Sequence, residues 1–195
     1  MSPNFLRAVC DSRLFAMRPK YVTPAIVLAR NPHGEANALV TLLTADFGLL
    51  RARAQGVRKS GAKLASALTT LSELDASLFY GKEGWRLSGA SLTEDHFGNL
   101  DTVSRVRAGR ISSLLLRLVK GESAEPELFF AMKDFLSTLP GEDEETQDAL
   151  ECRTALRLVS ALGLDAGEIP ALEEVHTARK EIVARINIGI AASGL

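Results

Sequence analysis

Gly48–Leu68 reads GLLRARAQGVRKSGAKLASAL, and its two halves follow different periods. Leu50, Ala52 and Ala54 alternate with Arg51, Arg53 and Gln55, the period of two that a half-buried strand imposes. Gly56 breaks the alternation. After Gly61 the small residues Ala62, Ala65, Ser66 and Ala67, with Leu64 and Leu68, predict a short helix. Arg51, Arg53, Arg58, Lys59 and Lys63 all fall on this stretch, and no acid lies between Asp46 and Glu73. A run of cations on a rigid scaffold is a candidate phosphate-binding surface. The plainer alternative is an edge strand and loop kept soluble by charge.

On either side of this stretch the pattern stays strand-like. Ala25-Ile26-Val27-Leu28 is an apolar strand run, followed by the turn signal Asn31-Pro32-His33-Gly34. Leu39 to Thr44 is the second strand, Leu49 to Gln55 the third and Leu71 to Tyr80 the fourth. Gly81-Lys82-Glu83-Gly84 turns into a fifth, Trp85 to Ser88. Five strands with a short helix between the third and fourth have the count and order of an OB-fold barrel.

Beyond about Leu92 the period becomes three to four. Val103, Val106, Ile111, Leu114, Leu115, Leu118 and Val119 form one helix face, ended by Gly121. Glu125-Pro126-Glu127 starts a second helix, carrying Leu128, Phe129, Met132, Phe135 and Leu136. Glu142 to Glu145 head a third, well placed against the helix dipole, which runs to Gly163. Leu172 to Ala192 adds one or two more. The expected fold class is therefore α+β with two domains. An extension over 1–20 leads into a barrel over 21–91, and an all-α helical domain follows over 92–195.

The 195 residues, 46% hydrophobic and 24% charged, describe an ordinary globular chain. Its net charge of −1 hides a division. Residues 1–91 carry 12 Lys/Arg and 6 Asp/Glu, whereas residues 92–195 carry 11 and 18. Such asymmetry suits a first half that meets a polyanion. Cys10 and Cys152 make no Cys-x-x-Cys pair and are expected as free thiols. No apolar run reaches the length of a membrane span. Met1 to Lys20 contains three arginines but has too short an apolar core for a signal peptide, and Met17 is an alternative start.

Motifs for catalysis fail on inspection. Gly56 to Lys63 has the glycine spacing of a phosphate loop, but Ala62 stands where Lys is required and Lys63 where Ser or Thr is required. Asp46-Phe47-Gly48 has no accompanying kinase catalytic loop. His33, His96 and His176 are too far apart for a local metal motif. Neither an enzyme nor a metal nor a cofactor is expected.

Several segments, read together, resemble the RecO family of bacterial recombination mediators. They are Ala25–Leu28 with Gly34-Glu35-Ala36-Asn37, Leu42-Leu43-Thr44 with Phe47-Gly48-Leu49, and the basic Ala54-Gln55-Gly56-Val57-Arg58. Glu125-Pro126 with Leu128-Phe129, Leu162-Gly163-Leu164, and Ile186-Asn187 with Ser193-Gly194-Leu195 extend the resemblance through the helical half. It implies an OB-fold and a helical domain, and a protein that binds single- and double-stranded DNA and anneals strands. It also implies a partnership with RecR, through which RecA replaces the single-stranded DNA-binding protein (SSB), and a helical domain that takes the SSB C-terminal tail. Many family members carry a four-cysteine zinc site in the helical half. Here only Cys152 is available, so no zinc is expected, and the helices after Gly163 are shorter than in those members.

Two site assignments follow. For DNA, the phosphate contacts are Arg51, Arg53, Arg58, Lys59 and Lys63, with Arg30 and Arg86 outside them, and the stacking candidates are Phe79, Tyr80 and Trp85. For an acidic partner peptide, Arg107, Arg110, Arg117 and Lys120 lie on or beside the first long helix. If the peptide site alone operates, the protein is an adaptor and its basic barrel is a solubility feature. No small-molecule substrate and no membrane partner is expected, and the location is the cytoplasm, in association with the nucleoid.

Overall fold

The computed structural model describes residues 19–57, 63–122 and 124–194. Strand β1 (Lys20–His33) pairs antiparallel with β2 (Asn37–Thr44) and with β4 (Ser72–Gly81). Strand β2 pairs with β3 (Gly48–Ala54), and β4 with β5 (Gly84–Asp95). A short parallel contact, Arg53 to Arg86 and Ala54 to Leu87, closes the barrel in the order β1-β2-β3-β5-β4. Helix α1 (Lys63–Ala67) lies between β3 and β4. This is the OB-fold expected from the strand count.

The run from Ala25 to Leu28 is apolar at every position because both of its faces are covered. Ala25 and Val27 join the barrel interior, while Ile26 and Leu28 belong to the cluster built by the helices. A bulge between Val27 and Ala29 bends the strand there. The turn signal at Asn31-Pro32-His33-Gly34 acts later than the sequence suggests. Strand β1 continues through Pro32, paired with Ala38, to His33. Its pairing with β4 spans only Lys20 to Ile26, so Pro32 lies where β1 has no second neighbour. A missing N–H is tolerated at such an edge. Strand β5 likewise runs on to Asp95, well beyond Ser88.

The helices follow as α2 (His96–Asn99), α3 (Thr102–Leu118), α4 (Pro126–Thr138), α5 (Glu144–Ala161) and α6 (Val175–Ala192). A 3-10 turn over Leu172–Glu174 precedes the last. Asp101 caps α3 by accepting from Ser104 N at 2.8 Å, and Asp143 caps α5 by accepting from Thr146 N at 2.7 Å. These bonds hold both carboxyls below the ordinary aspartate range. Pro126 opens α4 at the position where its missing N–H is harmless. Helix α4 packs against β1, β2 and β3. A single apolar cluster therefore runs from Ile26, Leu28 and Leu43 on the barrel wall into Leu128, Met132 and Phe135 of α4. Among the described residues no helix is long and apolar enough to cross a membrane. Cys152 is a free, buried thiol whose pKa burial raises, and Cys10 lies outside the described residues.

Candidate nucleic-acid interface

Alternation along β3 puts Ala52 and Ala54, both fully buried, into the barrel. Arg51 and Arg53 must then point outward, with Arg51 exposed and Arg53 partly so. The parallel β3–β5 contact sets Arg86 opposite Arg53. Both guanidiniums reach the carboxylate of Glu83, on the β4–β5 turn, Arg86 at 3.3 Å. Glu83 thus occupies the middle of the cationic strip and partly neutralises it. Arg51 has no ion-pair partner among the described residues.

Arg30 has a different place from the one expected. Its guanidinium donates to Ala65 O at 3.2 Å and to Val57 O at 3.4 Å. It ties the end of β1 to both flanks of the basic loop. Gly56, in a left-handed conformation at φ +70°, donates its N–H to Asn37 Oδ1 at 3.1 Å. Val57 beyond it is buried. The described residues on either side of 58–62 are thus held to β1 and β2. Arg58 and Lys59 lie outside the described residues. Lys63 begins α1, with its side chain outside them.

Four rings gather at one end of the barrel. Trp85 lies 5.8 Å from Tyr21 and 5.3 Å from each of Phe47 and Tyr80, ring centre to ring centre. Trp85 is only 8% exposed and belongs to the barrel core, so it plugs the barrel rather than offering a stacking face. Tyr80, at 58% exposure, remains open, and Phe79 is half-buried. Tyr21, at 36%, is an exposed ring that the sequence does not single out. It joins the group only through β1–β4 pairing.

The helical cations divide. Arg107 is buried in the bundle, donating to Glu151 at 2.7 Å, Asp148 at 3.4 Å and the Glu144 carbonyl at 3.3 Å. Burial pulls its pKa down, but the hydrogen bonds it donates to Glu151 and Asp148 outweigh that and raise it. The bundle, not an open surface, holds this side chain. A spacing signal existed: Ser104, Arg107, Ala108, Ile111 and Leu115 form one stripe at intervals of three and four. Arg110, exposed, pairs with Glu151 at 2.9 Å. Arg117 and Lys120 are exposed near the end of α3 and have no ion-pair partner among the described residues. Arg117 stands between two concavities. One, of about 660 Å³, lies between α3, α5 and α6, with Val106, Leu114, Val183, Ile186 and Ile190 in its apolar lining. The other, of about 470 Å³, lies between α3 and the barrel and contains Arg51, Arg117 and Lys120.

Comparison with known proteins adds the family. Residues 17–95 match the family model described as recombination protein O N terminal. The DNA repair protein RecO of Synechococcus elongatus is 34% identical over 136 residues, covering 69% of this chain and 49% of that one. The DNA repair protein RecO of Dehalococcoides mccartyi is 31% identical over 176 residues, 89% of this chain and 67% of the relative. The chain belongs to the RecO family. It spans about half the length of the cyanobacterial RecO and two thirds of that from Dehalococcoides. A third relative, the DNA repair protein RecO of Myxococcus xanthus, is 30% identical over 126 residues, 64% of this chain and 52% of its own.

The family-model match ends at Asp95, and the next residue is the centre of a cluster that no sequence spacing announces. His96, Glu73 and Glu94 place ligand-capable atoms within 4.8 Å of one another. Glu73 lies 3.5 Å from His96 Nε2 and Glu94 lies 3.7 Å from Nδ1. Nε2 of His96 and Oε2 of Glu73 are buried and have no hydrogen-bond partner among the described residues. Lys133 of α4 also donates to Glu73, at 2.6 Å, which raises the lysine pKa. The cluster therefore fastens α4 to the barrel.

Proposed function

We propose that this RecO-family chain is a non-enzymatic recombination mediator of DNA repair. It binds single- and double-stranded DNA through the barrel, anneals complementary strands and, with RecR, helps RecA replace SSB on single strands. The barrel over 21–91 is the nucleic-acid unit and the helices over 92–195 the partner unit, in the cytoplasm at the nucleoid. The observation that carries this is the outward cationic strip of Arg51, Arg53 and Arg86, with Arg58, Lys59 and Lys63 following it in the sequence. Exposed rings are few, so affinity should be mainly electrostatic.

The test is fluorescence anisotropy of a labelled oligothymidylate over a series of salt concentrations. With about four phosphates neutralised, log K falls against log salt with a slope of roughly −3. Arg58→Glu with Lys59→Glu weakens binding sharply. No binding at low salt overturns the proposal.

A second function, compatible with the first, is supported by the groove between α3, α5 and α6. Its apolar lining and the unpaired Arg117 on its rim suit an acidic peptide with apolar side chains, the chemistry of an SSB tail. Such a peptide should bind with an affinity that Ile186→Glu abolishes while DNA binding is unchanged.

A further inference from the structure

The groove between the barrel and the end of α3 joins cations that lie far apart in the chain. Its barrel wall is Leu49, Leu50, Arg51 and Trp85, and its helical wall carries Leu116, Arg117, Val119 and Lys120. Arg51, Arg117 and Lys120 are all exposed, and among the described residues the one acid in the lining is Glu122. Three cations face one carboxylate. The indole N–H of Trp85, a residue of this wall, is buried without a hydrogen-bond partner among the described residues, an unusual state for a tryptophan N–H.

We propose that this groove is a phosphate-binding segment of the DNA path, in which a single strand lying along β3 passes from Arg51 to Arg117 and Lys120. The proposal rests on the barrel being the DNA-binding element. Continuity favours a nucleic-acid backbone over a peptide. Arg51 lies on the same outward strand face as Arg53, so the groove forms one end of a positive strip that runs along β3 to Arg86. An extended polyanion can follow such a strip. An acidic peptide with apolar side chains is better matched by the neighbouring groove between α3, α5 and α6, which Lys120 does not line. Of the cations that a chain-order view assigns to a peptide, Lys120 thus belongs to the DNA path alone and Arg117 borders both grooves.

The experiment compares the full chain with Lys120→Glu and with Arg117→Glu/Lys120→Glu, titrating labelled oligothymidylate at several salt concentrations. Both side chains are exposed at the end of α3, and unchanged thermal melting verifies the fold. The double variant is expected to bind roughly tenfold more weakly at low salt, with a salt slope shallower by about 1.4, two lost contacts at ~0.7 each. Lys120→Glu alone gives about half that change in slope, and leaves binding of an acidic apolar peptide unaltered. Unchanged DNA affinity and slope in both variants, with Arg51→Glu still weakening binding, overturn the groove while leaving the barrel as a DNA site. Absence of DNA binding by the parent chain overturns both together.

Discussion

Glu83 decides how much of the strip on β3 and β5 is available. It holds Arg53 and Arg86 on one carboxylate, itself 58% exposed. A pair of this exposure contributes little to stability, within roughly 1 kcal/mol, but it lowers the local positive potential that a phosphate meets. Glu83→Gln should therefore leave the melting temperature almost unchanged and tighten single-strand binding about threefold at low salt. The slope should steepen by up to ~1.4 as two guanidiniums are released. Weaker binding by the variant in the same anisotropy titration would remove Arg53 and Arg86 from the DNA surface. Arg107 is the opposite case, a cation that the bundle has enclosed. Its place on the buried stripe of α3 was legible in the intervals, but its carboxylate partners, more than 35 residues away, were not.

Among the elements, α6 shows packing overriding propensity. A Cβ added at Gly189 would collide with Cγ1 of Val159 on α5 and approach Leu164 O at 3.1 Å. Valine is stiff about χ1 and the carbonyl is backbone, so neither neighbour yields readily. Replacing a helical glycine by alanine ordinarily stabilises by ~1 kcal/mol, whereas overpacking costs about 1–3 kcal/mol. Gly189→Ala is thus expected to lower the melting temperature, and thermal unfolding followed by circular dichroism distinguishes the two signs. A rise would mean that α6 stands farther from α5. Strand and helix identities were readable from the periods of two and 3.6. Strand ends were not, because Pro32 remains in β1 only where the strand lacks a second neighbour.

For the whole molecule, barrel and bundle depend on each other. Ile26, Leu28 and Leu43 lie on the barrel's outer wall and are buried only because α4 and its neighbours cover them. Lys133, Glu73 and His96 reinforce the same junction. A fragment ending at Asp95 would expose those three side chains together with the unpaired carboxylate of Glu73. Burying each such side chain is worth about 1.5–3 kcal/mol. The fragment is expected to aggregate or to melt well below the full chain in size-exclusion and thermal measurements. A monodisperse fragment with the parent's stability would show that the barrel needs no helical cover.

The sequence by itself determined the elements, their order, the barrel-then-helices architecture and the concentration of positive charge in the first half. Those properties are local: periodicity, turn chemistry and composition act over a few residues. Tertiary structure decided which charges are available and which meet. It set Arg53 and Arg86 on Glu83, enclosed Arg107, bound Arg30 to the carbonyls of Val57 and Ala65 and brought Arg51 beside Arg117 and Lys120. Each of those pairings joins residues that barrel closure or helix packing makes neighbours. A guanidinium's partner depends on distance in space, which the local pattern of a chain does not encode.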